Sequence, residues 1–173
     1  VKTKYSELGD LTISMLEGAN GKQAKEVQKL VEFLKDEKPD AVILTNALLS
    51  GAVPEIKRQL GVPVFVTLQG DDIFLDELSA NERTKCAELI RANGRAVTAY
   101  ISTSAYYADH MASYLGLARD SIRVIEPGLN LKGHGGPADP RGERPLTVGF
   151  FARIAPEKGF HHVVEAYIKL RQT

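Results

Sequence analysis

The sequence predicts an α/β chain built as a Rossmann-like, doubly wound parallel sheet. Two observations carry this. Short apolar runs rich in β-branched residues, above all Val62–Leu68, alternate along the chain with longer segments whose apolar residues recur at helical spacing. The runs are also apolar throughout rather than alternating apolar with polar, which is the pattern of strands covered on both faces by crossover helices.

The elements follow in order. Leu11–Leu16 is a short apolar run, read as a strand, and Gly18, Asn20 and Gly21 break it. Residues 22–37 place Ala24, Val27, Leu30, Val31 and Leu34 on one helical face. Pro39 and Asp40 stop that helix, and Ala41–Leu44 reads as a buried strand. Residues 47–60 read as a short helix that Pro54 begins or interrupts and Gly61 ends. After strand Val62–Leu68 and a polar turn comes a helix over 81–93, with Cys86, Leu89 and Ile90 inward. Val97–Ser102 is a strand. Ser104 caps a helix over 105–116 that carries Ala108, Met111, Ala112 and Leu115 on one stripe. Ile122–Ile125 is a short strand. Right-handed crossovers then put helices on both faces of one parallel sheet over residues 1–126.

Residues 127–145 differ in kind. Nine of these nineteen positions are Pro or Gly, so the stretch reads as a linker between domains. Beyond it, 146–173 reads as one strand, Leu146–Phe151, and one helix over 157–170 with Val163, Val164, Tyr167 and Ile168 inward. A lone strand–helix unit leaves that stripe in water. Residues 146–173 are therefore expected either to dock on the edge of their own sheet or to swap into a second copy as a homodimer.

Composition bounds the function. The 173 residues carry 22 Lys+Arg against 22 Asp+Glu, a net charge of zero, so no broad basic face is there for nucleic acid. The single cysteine, Cys86, forms no internal disulfide, which fits a cytoplasmic setting. Val62–Leu68, among the longest apolar stretches, falls far short of the roughly 20 residues of a membrane span. No basic amphipathic helix stands out, so the sequence does not decide for or against a lipid acceptor, and a position peripheral to the membrane is the alternative to a freely cytoplasmic one.

Parallel sheets bind ligands at the carboxyl ends of their strands, so the loops there carry the chemistry. After Leu44 come Thr45, Asn46 and Ser50: Asn46 either caps the next helix or contacts a ligand. After Leu68 come Gln69, Gly70, Asp71 and Asp72. Gly70 permits a tight turn. The two acids can orient a sugar hydroxyl, act as a base, bind a cation or cap the next segment, and two adjacent acids without a third ligand are weak evidence for a metal site. Ser102, Thr103 and Ser104 offer one cap and two further hydroxyls.

The sharpest local pattern is Phe151-Ala152-Arg153-Ile154-Ala155-Pro156-Glu157-Lys158-Gly159-Phe160. A strand ends, two cations five residues apart follow, and a helix begins. Free N–H groups at a helix start, an arginine fork, a mobile lysine charge and a glycine that admits close approach together make a diphosphate cradle. The bland alternative is a solvated loop with two surface cations. Glu157 and Glu165 are spaced as E-x7-E but stand on different elements. His134, His161 and His162 lack i, i+4 spacing, and the adjacent pair is expected to point in different directions. No G-x-G-x-x-G follows any strand.

Ala99-Tyr100-Ile101-Ser102-Thr103-Ser104, Ile122-Arg123-Val124-Ile125-Glu126-Pro127-Gly128-Leu129-Asn130, Thr147-Val148-Gly149-Phe150-Phe151-Ala152-Arg153 and Pro156-Glu157-Lys158-Gly159-Phe160 together resemble the group 1, family-4 glycosyltransferases of the GT-B fold. The resemblance implies two Rossmann-like domains facing across a cleft, the C-terminal one holding a nucleotide-diphosphate sugar and the N-terminal one mostly the acceptor. It implies Arg153 and Lys158 as the donor-diphosphate ligands, transfer with retention, no cofactor, and no metal for the chemistry. It also implies departures: Gln69 stands where the family often has a histidine, Glu126-Pro127-Gly128 replaces Pro-Asn-Gly, and the distal E-x7-E lies beyond Lys158.

On this reading the chain is a central fragment. Residues 1–126 are the latter part of an acceptor-side domain, 127–145 the linker, and 146–173 the first strand–helix unit of a donor-side domain. Candidate residues are Asp71 and Gln69 for catalysis, Arg153 and Lys158 for the diphosphate, and Gly70, Asp72 and Gly159 lining the cleft. The partners are a nucleotide sugar and an acceptor that is a sugar, glycan or lipid; the fragment alone is expected to be inactive. A non-catalytic sugar-nucleotide-binding scaffold and a sugar-nucleotide epimerase of the same architecture are the alternatives.

Overall fold

The computed structural model of the chain describes residues 5–133, 135–136 and 147–172, with side chains from Leu8 onward. The chain divides into two compact units, Val1–Leu129 and Asn130–Thr173. His134, Leu146 and most of the Pro/Gly-rich stretch, 137–145, lie outside the described residues.

In the first unit, helices α1 (Tyr5–Leu16) and α2 (Ala24–Glu37) precede strand β1 (Val42–Leu44). A 3-10 segment, Ala47–Ala52, runs into α3 (Val53–Leu60), with Pro54 in its first turn, where a missing N–H costs nothing. Then come β2 (Val64–Leu68), α4 (Asp71–Asp76), α5 (Ala80–Gly94), β3 (Ala99–Ser102), α6 (Ala105–Leu115) and β4 (Ile122–Val124). The strands pair in parallel in the order β1-β2-β3-β4, with Val42 beside Val64, Val66 beside Tyr100 and Tyr100 beside Ile122.

The parallel α/β, Rossmann-like architecture is the one expected. Its helix layer is more one-sided than expected. The four strands stand in chain order, so right-handed crossovers bring α3, α5 and α6 to the same face. That face carries Val64, Val66, Leu68, Tyr100 and Ile122, all buried against Val53, Ile56, Ile90, Met111 and Leu115. The opposite row, Ile43, Phe65, Thr67, Ile101 and Arg123, is half-buried or exposed, and Ile43 keeps 62% of its surface. Cys86 lies in the buried core, where desolvation pushes its thiol up to about 11 and keeps it protonated at neutral pH.

Three elements differ from the sequence reading. Leu11–Leu16 is not a strand but the second half of α1. Thr12 Oγ1 donates to the Leu8 carbonyl one turn back, at 2.7 Å, and Thr12 and Leu16 are buried at i, i+4 while Leu11 stays exposed. Length alone does not separate a short apolar strand from a helix segment. Next, a helix, α4, begins directly after β2, where a polar turn was expected. Gly70 makes the corner at φ 78°, a left-handed conformation that glycine adopts at little cost. A third difference is at the chain's other end: residues 147–151 form no strand.

Two glycines set the packing of α1. The backbone at Gly18 takes φ 59°, and a Cβ there would stand 1.9 Å from the carbonyl oxygen of Gly51. Gly51 in turn admits the Met15 carbonyl, 2.0 Å from where its own Cβ would be. Only hydrogen fits on both sides, so α1 lies directly on the 47–52 segment.

The second unit holds a 3-10 turn, Pro156–Lys158, and helix α7 (Phe160–Gln172). No residue of α7 is buried: Val163 is half-covered, and Val164, Tyr167 and Ile168 are exposed. The inward stripe expected there is an outward one among the described residues. Phe150 and Phe160 meet with ring centroids 5.1 Å apart, and with Val163 and Tyr167 they edge an open groove.

Candidate functional site

The carboxyl end of β2 holds the densest polar network among the described residues. Asp71 opens α4 and is 2% exposed. One carboxylate oxygen accepts from the Ala47 amide at 2.7 Å, the other from the Gln69 amide at 3.0 Å. Burial raises its pKa, and the backbone hydrogen bonds oppose that shift. Asp71 therefore ties the loop after β1 to the loop after β2. It also takes the capping place expected of Asn46, which stands before the 47–52 turn without a side-chain cap bond. The Asn46 Oδ1 and Ser50 Oγ atoms are buried with no hydrogen-bond partner among the described residues.

Asp72 turns the other way. Its Oδ1 accepts from the Tyr107 hydroxyl at 2.6 Å, and its Oδ2 meets His110 Nε2 at 3.0 Å. Partial burial opposes its ionisation, but the hydrogen bonds from Tyr107 and His110 prevail and lower its pKa. The Tyr107 hydroxyl also accepts the Gly70 amide at 2.7 Å, and its own pKa is raised by burial and then by Asp72. His110 lies between two aromatic rings of its own helix, 5.9 Å from Tyr107 and 5.8 Å from Tyr114. Tyr114 donates to Asp76 at 2.7 Å, and Arg83 reaches the same oxygen at 3.0 Å.

Gln69 is exposed. Its amide donates to Thr67 Oγ1 at 2.9 Å, and Thr67 Oγ1 donates to the Thr45 carbonyl at 2.6 Å. After β3, Ser104 caps α6 by accepting from the Tyr107 amide at 3.2 Å, as expected; Ser102 is buried and donates to the Ser104 carbonyl, and Thr103 is exposed.

In the second unit, Arg153 and Lys158 are both exposed, in the segment that leads to α7. Gly159 turns the chain into the helix at φ 71°, and its carbonyl accepts the His162 amide. Arg153 donates to Glu157 Oε1 at 2.6 Å. The Glu157 pKa is lowered, first by its own backbone N–H and then by Arg153. The rings of His161 and His162 lie 3.9 Å apart, so these neighbours do not diverge as expected. His162 Nδ1 is 3.9 Å from Glu165.

The family model for the glycosyl transferase 4-like domain matches residues 14–128, which is most of the first unit. The chain belongs to this family. The match places it among glycosyltransferases, and so among transferases, in agreement with the resemblance read from its motifs. No curated protein and no solved structure matches the chain at a significant level. No helix among the described residues is long and apolar enough to cross a membrane.

Within this glycosyltransferase domain the structure gathers Gln69, Gly70, Asp71 and Asp72 at one strand end, but divides their tasks. Asp71 serves the backbone and Asp72 the side chains of α6. Sequence reasoning missed Tyr107, His110 and Tyr114. Their spacing, i, i+3 and i+7, was the available signal of one polar-aromatic face on α6.

Proposed function

We propose that this chain is the part of a glycosyltransferase that carries the acceptor loop and the donor-diphosphate ligands. The enzyme moves a sugar from a nucleotide-diphosphate sugar to a hydroxyl-bearing acceptor, and the resemblance to family-4 enzymes supports retention at the anomeric carbon. The observation that carries the donor assignment is the placement of Arg153, Lys158 and Gly159 around the turn that opens α7. Arginine and lysine suit a leaving diphosphate: they stabilise the negative charge that grows as the sugar–oxygen bond breaks. On this reading the chemistry needs no metal and no bound cofactor. A buried, unpaired Cys86 supports a reducing, cytoplasmic setting.

In the first unit, Gln69 and Asp72 border the acceptor, and Asp71 acts through the two loops it joins. Its buried carboxylate accepts two amides, so its first task is holding backbone.

The test is calorimetry with UDP and GDP on the protein and on Arg153→Ala and Lys158→Ala. Each loss of a charge-assisted phosphate contact should cost on the order of 1.5–3 kcal/mol. Unchanged affinity in both variants rejects the cradle. Because this chain alone is expected to be inactive, it is binding without sugar transfer or hydrolysis in the full-length protein that would instead favour a non-catalytic scaffold.

A further inference from the structure

We infer that His110 is a positioning residue of the acceptor loop, acting on Gly70 through Asp72 and Tyr107. The inference rests on the reading of Gln69–Asp72 as the acceptor loop. The chain of contacts is continuous. His110 Nε2 meets Asp72 Oδ2 at 3.0 Å, Tyr107 donates to Asp72 Oδ1 at 2.6 Å, and the Gly70 amide donates to the Tyr107 hydroxyl at 2.7 Å. It starts on a helix, α6, and ends on the one residue that makes the corner between β2 and α4.

Two features set this apart from an ordinary surface tie. The Asp72 side chain is 18% exposed and that of His110 39%, so water screens the pair only in part. The imidazole and the Tyr107 hydroxyl are also bound to one carboxylate, and hydrogen bonds to it are charge-assisted. Losing one partner leaves Asp72 to the other. The Tyr107 hydroxyl is both donor to Asp72 and acceptor from Gly70, so a change at one bond is felt at the other. His110 is faced by Asp72 from α4 and by Tyr107 and Tyr114 from its own helix. Asp76 and Arg83 stand behind Tyr114, and the neighbouring Asp109 is paired with Arg119.

The backbone amide of Gly70 is itself the reporter. Its nitrogen and proton shifts and its hydrogen exchange are followed by NMR in the whole chain and in its variants. In His110→Phe, which keeps the ring but not the bond, the Gly70 shift moves and exchange speeds up about tenfold while the spectrum stays folded. In His110→Gln, which keeps a donor, both return toward the native values. In Tyr107→Phe, which removes the link, adding His110→Phe leaves Gly70 unmoved. A Gly70 amide unchanged in His110→Phe, or changed as much in His110→Gln, or still moved by His110→Phe in the Tyr107→Phe background, overturns the inference. UDP and GDP binding separates this from the donor reading. Failure of nucleotide binding leaves the Gly70 response standing, and an indifferent Gly70 leaves nucleotide binding standing.

Discussion

Residues 64–68 and 147–151 begin alike and end differently. Both are short and apolar, and both lead through a left-handed glycine, Gly70 or Gly159, into a helix. Val64–Leu68 is hydrogen-bonded between two parallel neighbours and buries Val64, Val66 and Leu68 completely. Residues 147–151 form no strand, and Val148 and Phe151 are exposed. The helices repeat the contrast: Ala108, Met111 and Leu115 of α6 are buried, and no residue of α7 is. A strand is thus defined by its neighbours as much as by its own residues. β-propensity describes what fits between partners, not a preference that acts alone.

The largest expected effect tests that contrast directly. Leu115→Ala removes a fully buried side chain of α6 and should cost about 2–5 kcal/mol, read as a fall in the urea midpoint of the first unit. Ile168→Ala on α7, where the side chain is 50% exposed, should change stability by no more than about 0.5 kcal/mol. A comparable loss in both would mean that α7 is covered in solution, and the contrast would break.

The same comparison shows what the sequence made legible. All four strands of the sheet were visible as short, mostly apolar runs bounded by turn residues. Leu11–Leu16 and 146–151 had the same appearance. The first is helical because it continues a turn that starts at Tyr5 and packs on the glycine at 51; the second has no strand beside it among the described residues. Pairing is a long-range property, and a local pattern does not contain it. The position of Gln69–Asp72 at the carboxyl end of a strand was legible. That Asp71 is buried and Asp72 faces α6 was not, because the helix beginning at Asp71 sends adjacent side chains in different directions.

The two aspartates give the next effect. Asp71→Ala leaves the amides of Ala47 and Gln69 without their acceptor and should destabilise the first unit by about 1–3 kcal/mol. Their pH dependences have opposite sign. The folded state raises the Asp71 pKa, so it binds that proton more readily than the unfolded chain does. Stability from this group is highest in acid and declines as pH rises through the window from the ordinary aspartate value up to the raised one. Asp72 is lowered, so its contribution is present above the ordinary value and is lost as pH falls through the window below it. Asp71→Asn should therefore steepen the loss of stability on acidification, and Asp72→Asn should flatten it. Urea midpoints between pH 3 and 6 check both; equal slopes in the two variants would mean that the partners named here do not set these pKa values.

A smaller effect belongs to α5. Ser79 and Glu82 form a reciprocal cap, the hydroxyl accepting the Glu82 amide and the carboxylate accepting the Ser79 amide at 3.0 Å. Ser79→Ala should cost about 1 kcal/mol by the same denaturation. A Ser79→Ala cost near zero would mean that packing on α1 holds the start of α5 without its cap.

The smallest effect falls on the exposed unit, where a polar side chain restrains another instead of holding a fold. Glu157 accepts from Arg153 at 2.6 Å in an i, i+4 pair that is open to water on both sides. On the proposed function, a diphosphate arriving at Arg153 meets a guanidinium already engaged. Arginine has five N–H donors, so Glu157 and phosphate can share it, and the competition is weak. Exposed pairs of this kind are worth little, so Glu157→Gln should tighten UDP or GDP binding by only a few-fold. Two negative groups drawn to one cation also repel each other, and salt screens that repulsion over about 8–10 Å. The gain in Glu157→Gln should therefore shrink as ionic strength rises, whereas the loss in Arg153→Ala persists because the donor fork itself is gone. Weaker binding in Glu157→Gln would show that the carboxylate aims Arg153 at the phosphate rather than competing for it, and the contrast between a holding carboxylate at Asp71 and a restraining one at Glu157 would fail.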